Sequence, residues 1–126
     1  MRIVIKGQVR GGKNNMGVTR SGIHYPKPEF VKWRAETMAQ IKKQIPVGFK
    51  PIDGFDYDWI FEYTPEDNRR RDCPAILDAV FHCLEKTGVV MDDRYIMHLH
   101  FYLRAPSKEH AGIIIDVIKT VTEFKI

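Results

Sequence analysis

Residues Arg69–Asp93 read RRRDCPAILDAVFHCLEKTGVVMDD, and this stretch carries the strongest local pattern in the chain. Asp72 stands where a helix N-cap belongs, and Pro74 suits the first helical turn. Apolar residues then recur at helical spacing and form one stripe: Ile76, Leu77, Val80, Phe81 and Leu84. The stretch therefore predicts a polar loop over 65–71, an amphipathic helix that ends near Gly88, and a short apolar run before an acidic pair.

The acids at the two ends of this stretch suggest a metal site. Asp72 and the pair Asp92–Asp93 are separated by one helix and a turn, so we expect the returning chain to bring them to the same edge of the fold. Carboxylates supply the hard oxygen ligands that Mg²⁺ prefers, and the neighbouring arginines would attract a phosphodiester toward the metal. Each acid also has a structural explanation, because capping alone contributes about 1 kcal/mol and aspartate is common in turns.

Outside this stretch, apolar periodicity predicts one further helix and several strands. The helix covers Glu29–Ile45, with Pro28 in its first turn and Pro46 at its end. Residues 10–28 read as a loop, and the predicted strands are Arg2–Val9, Phe55–Tyr63, Tyr95–Leu103 and Gly112–Val121. The order β-α-β-α-β-β predicts an α/β (α+β) fold in one domain, residues 1–126, in which two helices cover one face of a mixed sheet of about four strands.

Two of the predicted strands also admit a functional interpretation. The aromatic residues of 55–63 share one strand face and could stack on bases, but such a face is more often covered by a helix, so we assign it to the core. His98 and His100 share one face of the next strand, opposite an apolar face. No third metal ligand stands at a recognisable spacing from them, so we assign the histidines to the surface or to a partly buried polar pair.

Composition and charge are those of one globular domain with a mildly basic surface. At 126 residues and 44% hydrophobic content, the chain is long enough to bury a core. Its formal net charge of +4 favours a polyanionic partner without identifying it.

The two cysteines, Cys73 and Cys83, fall ten residues apart on the predicted helix. That spacing corresponds to about 15 Å at the helical rise, which is too far for a disulfide bond. Free thiols, together with the lack of a signal peptide or a long apolar run, predict a protein of a reducing cytoplasm that does not enter a membrane.

Three segments resemble the RusA family of Holliday junction resolvases, which occurs in bacteria and especially in their prophages and phages. The central segment is the specific one, with Arg-Arg-Asp at 70–72, an amphipathic helix, and Gly-Val-Val-Met-Asp-Asp at 88–93. Ile5–Asn15 is similar to the family's opening strand and Lys-Asn turn, and Lys27–Arg34 resembles the start of its first helix. The resemblance covers most of the chain in order and length.

This resemblance implies an endonuclease that uses Mg²⁺ or Mn²⁺ to resolve four-way DNA junctions in recombination and repair. The family acts as a homodimer, in the cytoplasm of a bacterium or of a phage-infected cell. Asp72, Asp92 and Asp93 match the acids of its motif, so they are predicted to bind the metal and to be catalytic.

Basic residues next to these acids are candidates for DNA contacts. Arg71 directly precedes Asp72 and is predicted to act in catalysis by contacting the phosphate near the cut. Arg69 and Arg70 would bind neighbouring phosphates. In the glycine-rich loop near the N-terminus, a further set of candidates would contact the DNA backbone, with help from free backbone amides: Lys13, Asn14 and Asn15.

The chain departs from the family's pattern in the first turns of the central helix. The family usually has Asp-Asn there, with a lysine a turn later, whereas this chain has Pro74, Ala75 and Asp78. Position 78 lies one turn beyond position 74 on the same helix face, so Asp78 is a candidate for a relocated metal ligand. It is equally well explained as a solvated acid on the polar face.

Three classes of function follow from these patterns. The first is a junction-resolving endonuclease. The second is a catalytically weakened or inactive protein of the same fold that still binds branched DNA, which the loss of the Asp-Asn pair favours. The third is a small α/β module that binds another protein, and this class predicts no salt-sensitive affinity for DNA.

Overall fold

The computed structural model describes residues 1–10 and 16–120. In this range the strands are β1 (Arg2–Lys6), β2 (Met16–Val18), β3 (His24–Pro26), β4 (Tyr57–Thr64), β5 (His98–Leu103) and β6 (Gly112–Lys119). The helices are α1 (Pro28–Gln44) and α2 (Cys73–Lys86), and Asp93–Tyr95 form a 3₁₀ turn. The predicted α+β class, with two helices and a mixed four-stranded sheet, is confirmed.

The main sheet has the strand order β1-β6-β4-β5. β6 is antiparallel to β1 and to β4, whereas β4 and β5 are parallel, and α2 provides the crossover that parallel neighbours need. Side chains alternate between the two faces of the sheet. The face that packs with the helices contributes these buried residues: Ile3, Ile5, Trp59, Phe61, Tyr63, Ile113, Ile115 and Val117.

Both helices begin as the sequence predicts. Pro28 occupies the first turn of α1, where a missing N–H costs nothing, and Asp72 is the N-cap of α2. The Oδ1 atom of Asp72 accepts a hydrogen bond from the amide of Ala75 at 3.3 Å. The buried residues of α1 recur at helical spacing: Phe30, Trp33, Thr37 and Ile41.

The N-terminal quarter corrects two predictions. The range predicted as a loop, 10–28, contains the β2–β3 hairpin, in which Gly17 pairs with Tyr25. Strands this short are held by backbone hydrogen bonds and leave no apolar periodicity in the sequence. A Cβ atom at Gly17 would overlap the ring of Tyr25, so this exposed ring would have to move. β1 ends at Lys6 and not at Val9, since the φ of 101° at Gly7 is incompatible with a strand.

The predicted strand Tyr95–Leu103 is also corrected. It begins only at His98, because the 3₁₀ turn occupies the preceding residues. One apolar face was expected on it, yet Leu99 and Leu103 are 38% and 61% exposed. β5 lies at the edge of the sheet, where only Phe101 is half-buried against the core.

Gly112→Ala should destabilise the fold more than a glycine substitution in open space. Gly112 has a φ of 147°, and a Cβ atom there would overlap the carbonyl of Ile5 in β1. We expect the free energy of unfolding to fall by about 2 kcal/mol or more, because backbone atoms must move. Gly48→Ala is the control, since Gly48 has a φ of 80° with open space around it, and should cost about 1 kcal/mol. Urea denaturation measures both, and equal losses would contradict the steric argument.

Candidate metal centre and basic loop

Three carboxylates meet at the C-terminal end of α2 and form the acidic cluster: Glu85, Asp92 and Asp93. One oxygen from each carboxylate lies within 4.8 Å of the other two, and the three residues are half-buried. Glu85 is in the last turn of α2, and the two aspartates follow the chain reversal at Gly88. Gly88 has a φ of 82°, a conformation that ends helices and favours glycine.

Contacts of the surrounding chain hold the acidic cluster in place. Val90 is buried and forms a β-bridge with Ile52. The amide of Asp93 donates to Oε1 of Glu85 at 3.2 Å. Oδ1 of Asp92 accepts from the amide of Arg94 at 2.9 Å and caps the 3₁₀ turn. The fold itself therefore keeps the three carboxylates close together.

The electrostatics of Asp93 are unfavourable for an ionised carboxylate. Burial raises the pKa of Asp93, and the negative charges of Glu85 and Asp92 raise it further. Asp78 acts in the same direction, whereas His82 opposes it. A bound cation would relieve this repulsion, and carboxylate oxygens are the ligands that Mg²⁺ and Mn²⁺ prefer. The donor set therefore fits a hard divalent cation.

The structure places the four acids predicted to bind metal in two different regions. Asp92 and Asp93 belong to the acidic cluster, whereas Asp78 is exposed on α2, outside the cluster but close enough for its charge to act on Asp93. Asp72 lies at the other end of α2, thirteen residues before Glu85, which is about 20 Å along the helix axis. Among the described residues Asp72 does not join the cluster, and its role in catalysis stays a prediction.

Glu85 is the candidate ligand that sequence reasoning missed. Asp78, His82 and Glu85 recur at helical spacing and share one face of α2, so the sequence shows them as a polar stripe. A polar stripe alone indicates a solvated face. The sequence pattern did not show that the chain folds back after Gly88. This reversal brings the aspartate pair against the C-terminal end of the stripe.

The basic loop, Arg69–Arg71, precedes α2 at the end of β4. Arg71 is only 15% exposed, and its Nη1 atom lies 2.7 Å from Oδ1 of Asp67. Arg71 also donates to the carbonyls of Asp67 and Arg69. The hydrogen bond from Arg71 is the main reason that the pKa of Asp67 is lowered. Arg71 therefore stabilises the loop, and its contact with a scissile phosphate stays a prediction.

The other two arginines of the basic loop, Arg69 and Arg70, are exposed. A cavity of about 310 Å³ opens beside the loop, and its wall includes Tyr63, Leu103 and Arg104 at the far ends of β4 and β5. The basic loop and Arg104 thus line one cavity at the carboxyl ends of the parallel strands.

Arg94 places a positive charge beside the acidic cluster. Its Nε atom lies 3.8 Å from Oδ2 of Asp92, and its side chain is 67% exposed. The guanidinium also lies over the ring of Tyr95, 5.1 Å from the centroid. Arg94 is therefore close enough to contact a phosphate bound at the acidic cluster. The central sequence motif did not predict this role.

Several remaining predictions have simple outcomes. Lys13, Asn14 and Asn15 lie outside the described residues. Cys73 and Cys83 are free, as predicted, and burial raises the pKa of Cys83 to about 11, which is far from that of a reactive thiolate. Within the described ranges, neither helix combines the length and the apolar character needed to span a bilayer.

Comparison with known proteins supports a distant relationship to a nuclease. No protein-family model matches the chain. Crossover junction endodeoxyribonuclease RusA of Aquifex aeolicus (strain VF5) is 26% identical to it over 100 residues, which cover 78% of this chain and 75% of that protein. RusA is thus a distant homologue of this chain, in agreement with the resemblance found in the central motif.

Asp93→Asn should stabilise the metal-free protein at neutral pH. The substitution removes a carboxylate whose pKa is raised and leaves the backbone bond to Glu85 intact. A raised pKa means that the folded state disfavours the ionised form. The gain in stability from Asp93→Asn is therefore present at pH values above the pKa of Asp93 in the folded protein. It disappears at pH values below 3.8, the pKa of this group in the unfolded chain. Thermal unfolding in chelator, at pH values from about 3 to about 8, measures the effect.

Added Mg²⁺ should raise the unfolding temperature of the wild-type protein and have little effect on Asp93→Asn, because ligand binding stabilises only a chain that keeps the site. Asp56→Asn removes one exposed acid outside the cluster and serves as the charge-matched control. The control should behave as wild type in chelator and in Mg²⁺. The assignment of the metal site would be contradicted if Asp93→Asn were less stable than wild type in chelator at neutral pH. It would also be contradicted if Mg²⁺ raised the unfolding temperature of Asp93→Asn as much as that of wild type.

Proposed function

We propose that this protein is an endonuclease that requires a divalent metal ion, resolves four-way DNA junctions and acts as a homodimer. The observation that carries the proposal is the acidic cluster in a chain with a distant RusA homologue. The net charge of +4 suits a polyanionic substrate. A second copy is included because symmetric incision of two strands at one junction requires two centres.

The acidic cluster would hold Mg²⁺ or Mn²⁺, with Asp78 as a further ligand. When bound, the metal supplies activation of water and stabilisation of the charge that builds on the phosphate. Hydrolysis joins the water oxygen to phosphorus, breaks one P–O ester bond and leaves a proton on the departing oxygen. The contribution of the chain is to hold Glu85, Asp92 and Asp93 together in spite of their mutual repulsion.

Positive side chains would orient the DNA. Arg94 stands next to Asp92 and would bind the phosphate nearest the cut, for which a guanidinium is well suited. Arg69 and Arg70 would bind phosphates farther along the strand, and Lys13, Asn14 and Asn15 would add backbone contacts. These contacts position the DNA and carry no sequence information themselves.

A protein of the same fold that binds branched DNA without cutting it is the second candidate. Pro74 and Ala75 stand where the family usually has acidic and amide side chains, so the first turn of α2 offers no additional carboxylate. Asp72 serves there as a helix cap, about 20 Å along α2 from Glu85. A module that binds only another protein would lack salt-sensitive DNA affinity altogether.

The proposal is tested by incubating the purified protein with a synthetic four-way junction and with a linear duplex of the same sequence. Each substrate is incubated with Mg²⁺, with Mn²⁺ and with chelator. We expect paired, symmetric nicks in the junction when either metal is present, and no nicks in the duplex. Tight binding of the junction without nicks in either metal would favour the second candidate and contradict the first.

Substitutions then separate the two acidic regions. Glu85→Gln should reduce junction cleavage about 100-fold while binding is kept, because one ligand of the proposed metal is lost. Asp72→Asn tests the other end of α2, and since asparagine caps helices as well as aspartate, lost cleavage there would indicate a catalytic role. Glu109→Gln, at a site 87% exposed, is the control and should cut normally. Full activity of Glu85→Gln would contradict the metal assignment.

A further inference from the structure

The main sheet has two edge strands, β1 and β5, and side chains from α1 cover the outer edge of β1. Gln44 accepts from the amide of Val4 and donates to its carbonyl, both at 2.8 Å. Gln40, one helical turn earlier, makes the same pair of bonds with Lys6, at 2.9 and 3.2 Å. These amide side chains take the place of a neighbouring strand, so the outward backbone groups of β1 are satisfied.

The outer edge of β5 has no such cover within residues 1–10 and 16–120. The amide of Arg104 donates to the carbonyl of Tyr63 in β4 at 2.8 Å, and this bond fixes which residues of the strand point inward. By alternation, the backbone N–H and C=O groups of Leu99, Phe101 and Leu103 point away from β4. They are available to a further strand.

β5 also lacks the features that usually prevent an edge strand from pairing. Its sequence, HLHFYL, contains no lysine, proline or formally charged residue, and its pairing with β4 is continuous without a bulge. On one face Leu99 and Leu103 are 38% and 61% exposed, and on the other Tyr102 is 47% exposed. An open edge strand with exposed apolar side chains and continuous pairing is characteristic of an interface.

We infer that β5 pairs antiparallel with β5 of a second copy of this chain, about a two-fold axis at Phe101. In this register Leu99 lies opposite Leu103 of the second copy, and Phe101 lies opposite its own equivalent. All residues with outward backbone groups then form hydrogen-bonded pairs, and each pair exchanges two bonds. The two four-stranded sheets join into one continuous sheet.

The strand is complementary to itself, which is the argument for a second copy as its partner. The register sets apolar side chains against apolar side chains on the helix-bearing face, and Tyr102 against His100 on the open face. No formally charged residues of β5 oppose each other, so pairing carries no electrostatic penalty of that kind. The interface is isologous, as expected for a two-fold dimer.

This arrangement also suits two cutting centres. A two-fold axis that relates antiparallel edge strands runs perpendicular to the sheet, so both helix layers face the same side. The acidic cluster of each copy adjoins α2 and would therefore be presented on one common face. The choice of a second copy as the partner rests in part on the proposed function, because symmetric incision requires two metal centres at one junction.

The mass of the full-length chain in solution tests the interface. The wild-type protein should have twice the mass of its 14.7 kDa monomer in sedimentation equilibrium, without DNA. Leu99→Lys places a charge opposite the apolar Leu103 of the second copy and should raise the dimer dissociation constant at least about tenfold. Val47→Lys is the matched control, because Val47 is a fully exposed apolar residue outside the sheet, and should leave the dimer unchanged.

The register is tested by disulfide trapping in a Cys73→Ser background. Phe101→Cys should cross-link under oxidation, because directly opposite residues of a hydrogen-bonded pair have Cα atoms about 5.5 Å apart. His100→Cys should not, since it faces Tyr102 of the second copy and not itself. Cross-linking of His100→Cys in place of Phe101→Cys would overturn the stated register.

A monomeric wild-type protein at all concentrations would overturn the inference, as would a dimer that survives Leu99→Lys and does not cross-link through Phe101→Cys. These outcomes are distinct from failure of the proposed function. A monomer that nicks junctions would refute the interface and the homodimer but not the nuclease, whereas a dimer with the predicted cross-link that nicks nothing would refute the nuclease alone.

Discussion

The parallel pairing of β4 with β5 is the constraint on which the arrangement of charged residues depends. Parallel neighbours cannot be joined by a tight turn, so the chain must return along the sheet between them, and α2 makes that return. The basic loop therefore precedes α2 and the acidic cluster follows it. Opposite charges thus lie at opposite ends of one helix, about 20 Å apart along its axis. A nucleic acid that contacts both must span that distance.

The same helix also separates Asp72 from the acids of the cluster. The carboxylate of Asp72 is engaged at the start of α2, where it accepts a backbone bond and contributes about 1 kcal/mol to helix stability. Glu85, in the last turn, is instead held against two aspartates by the fold-back after Gly88. Burial and like charges raise the pKa of Asp93, so the fold retains a repulsion that structural needs alone do not explain. Such retained repulsion is typical of binding and catalytic sites.

Periodicity predicted those parts of the fold that bury apolar side chains in a regular pattern. The two helices, the capping role of Asp72 and the buried aromatic face of β4 are all of this kind. Periodicity did not predict the β2–β3 hairpin, because backbone hydrogen bonds hold it. It did not predict the exposure of β5, because the position of a strand in a sheet is a tertiary property. For the candidate site, the motif pointed to Asp92 and Asp93, and the structure places both beside Glu85. Glu85 and Arg94 depend on the path of the chain in space, which spacing along the sequence does not report.

The central claim is that Glu85, Asp92 and Asp93 form the metal site. Anomalous diffraction from crystals of the protein soaked in Mn²⁺ tests it most directly, because Mn²⁺ replaces Mg²⁺ at hard oxygen sites and is located by its own signal. The account predicts a peak among these three carboxylates, with Asp78 on the same side, and no peak there in Glu85→Gln. A peak at Asp72 alone, or no peak at the cluster at Mn²⁺ concentrations that support cleavage, would contradict it.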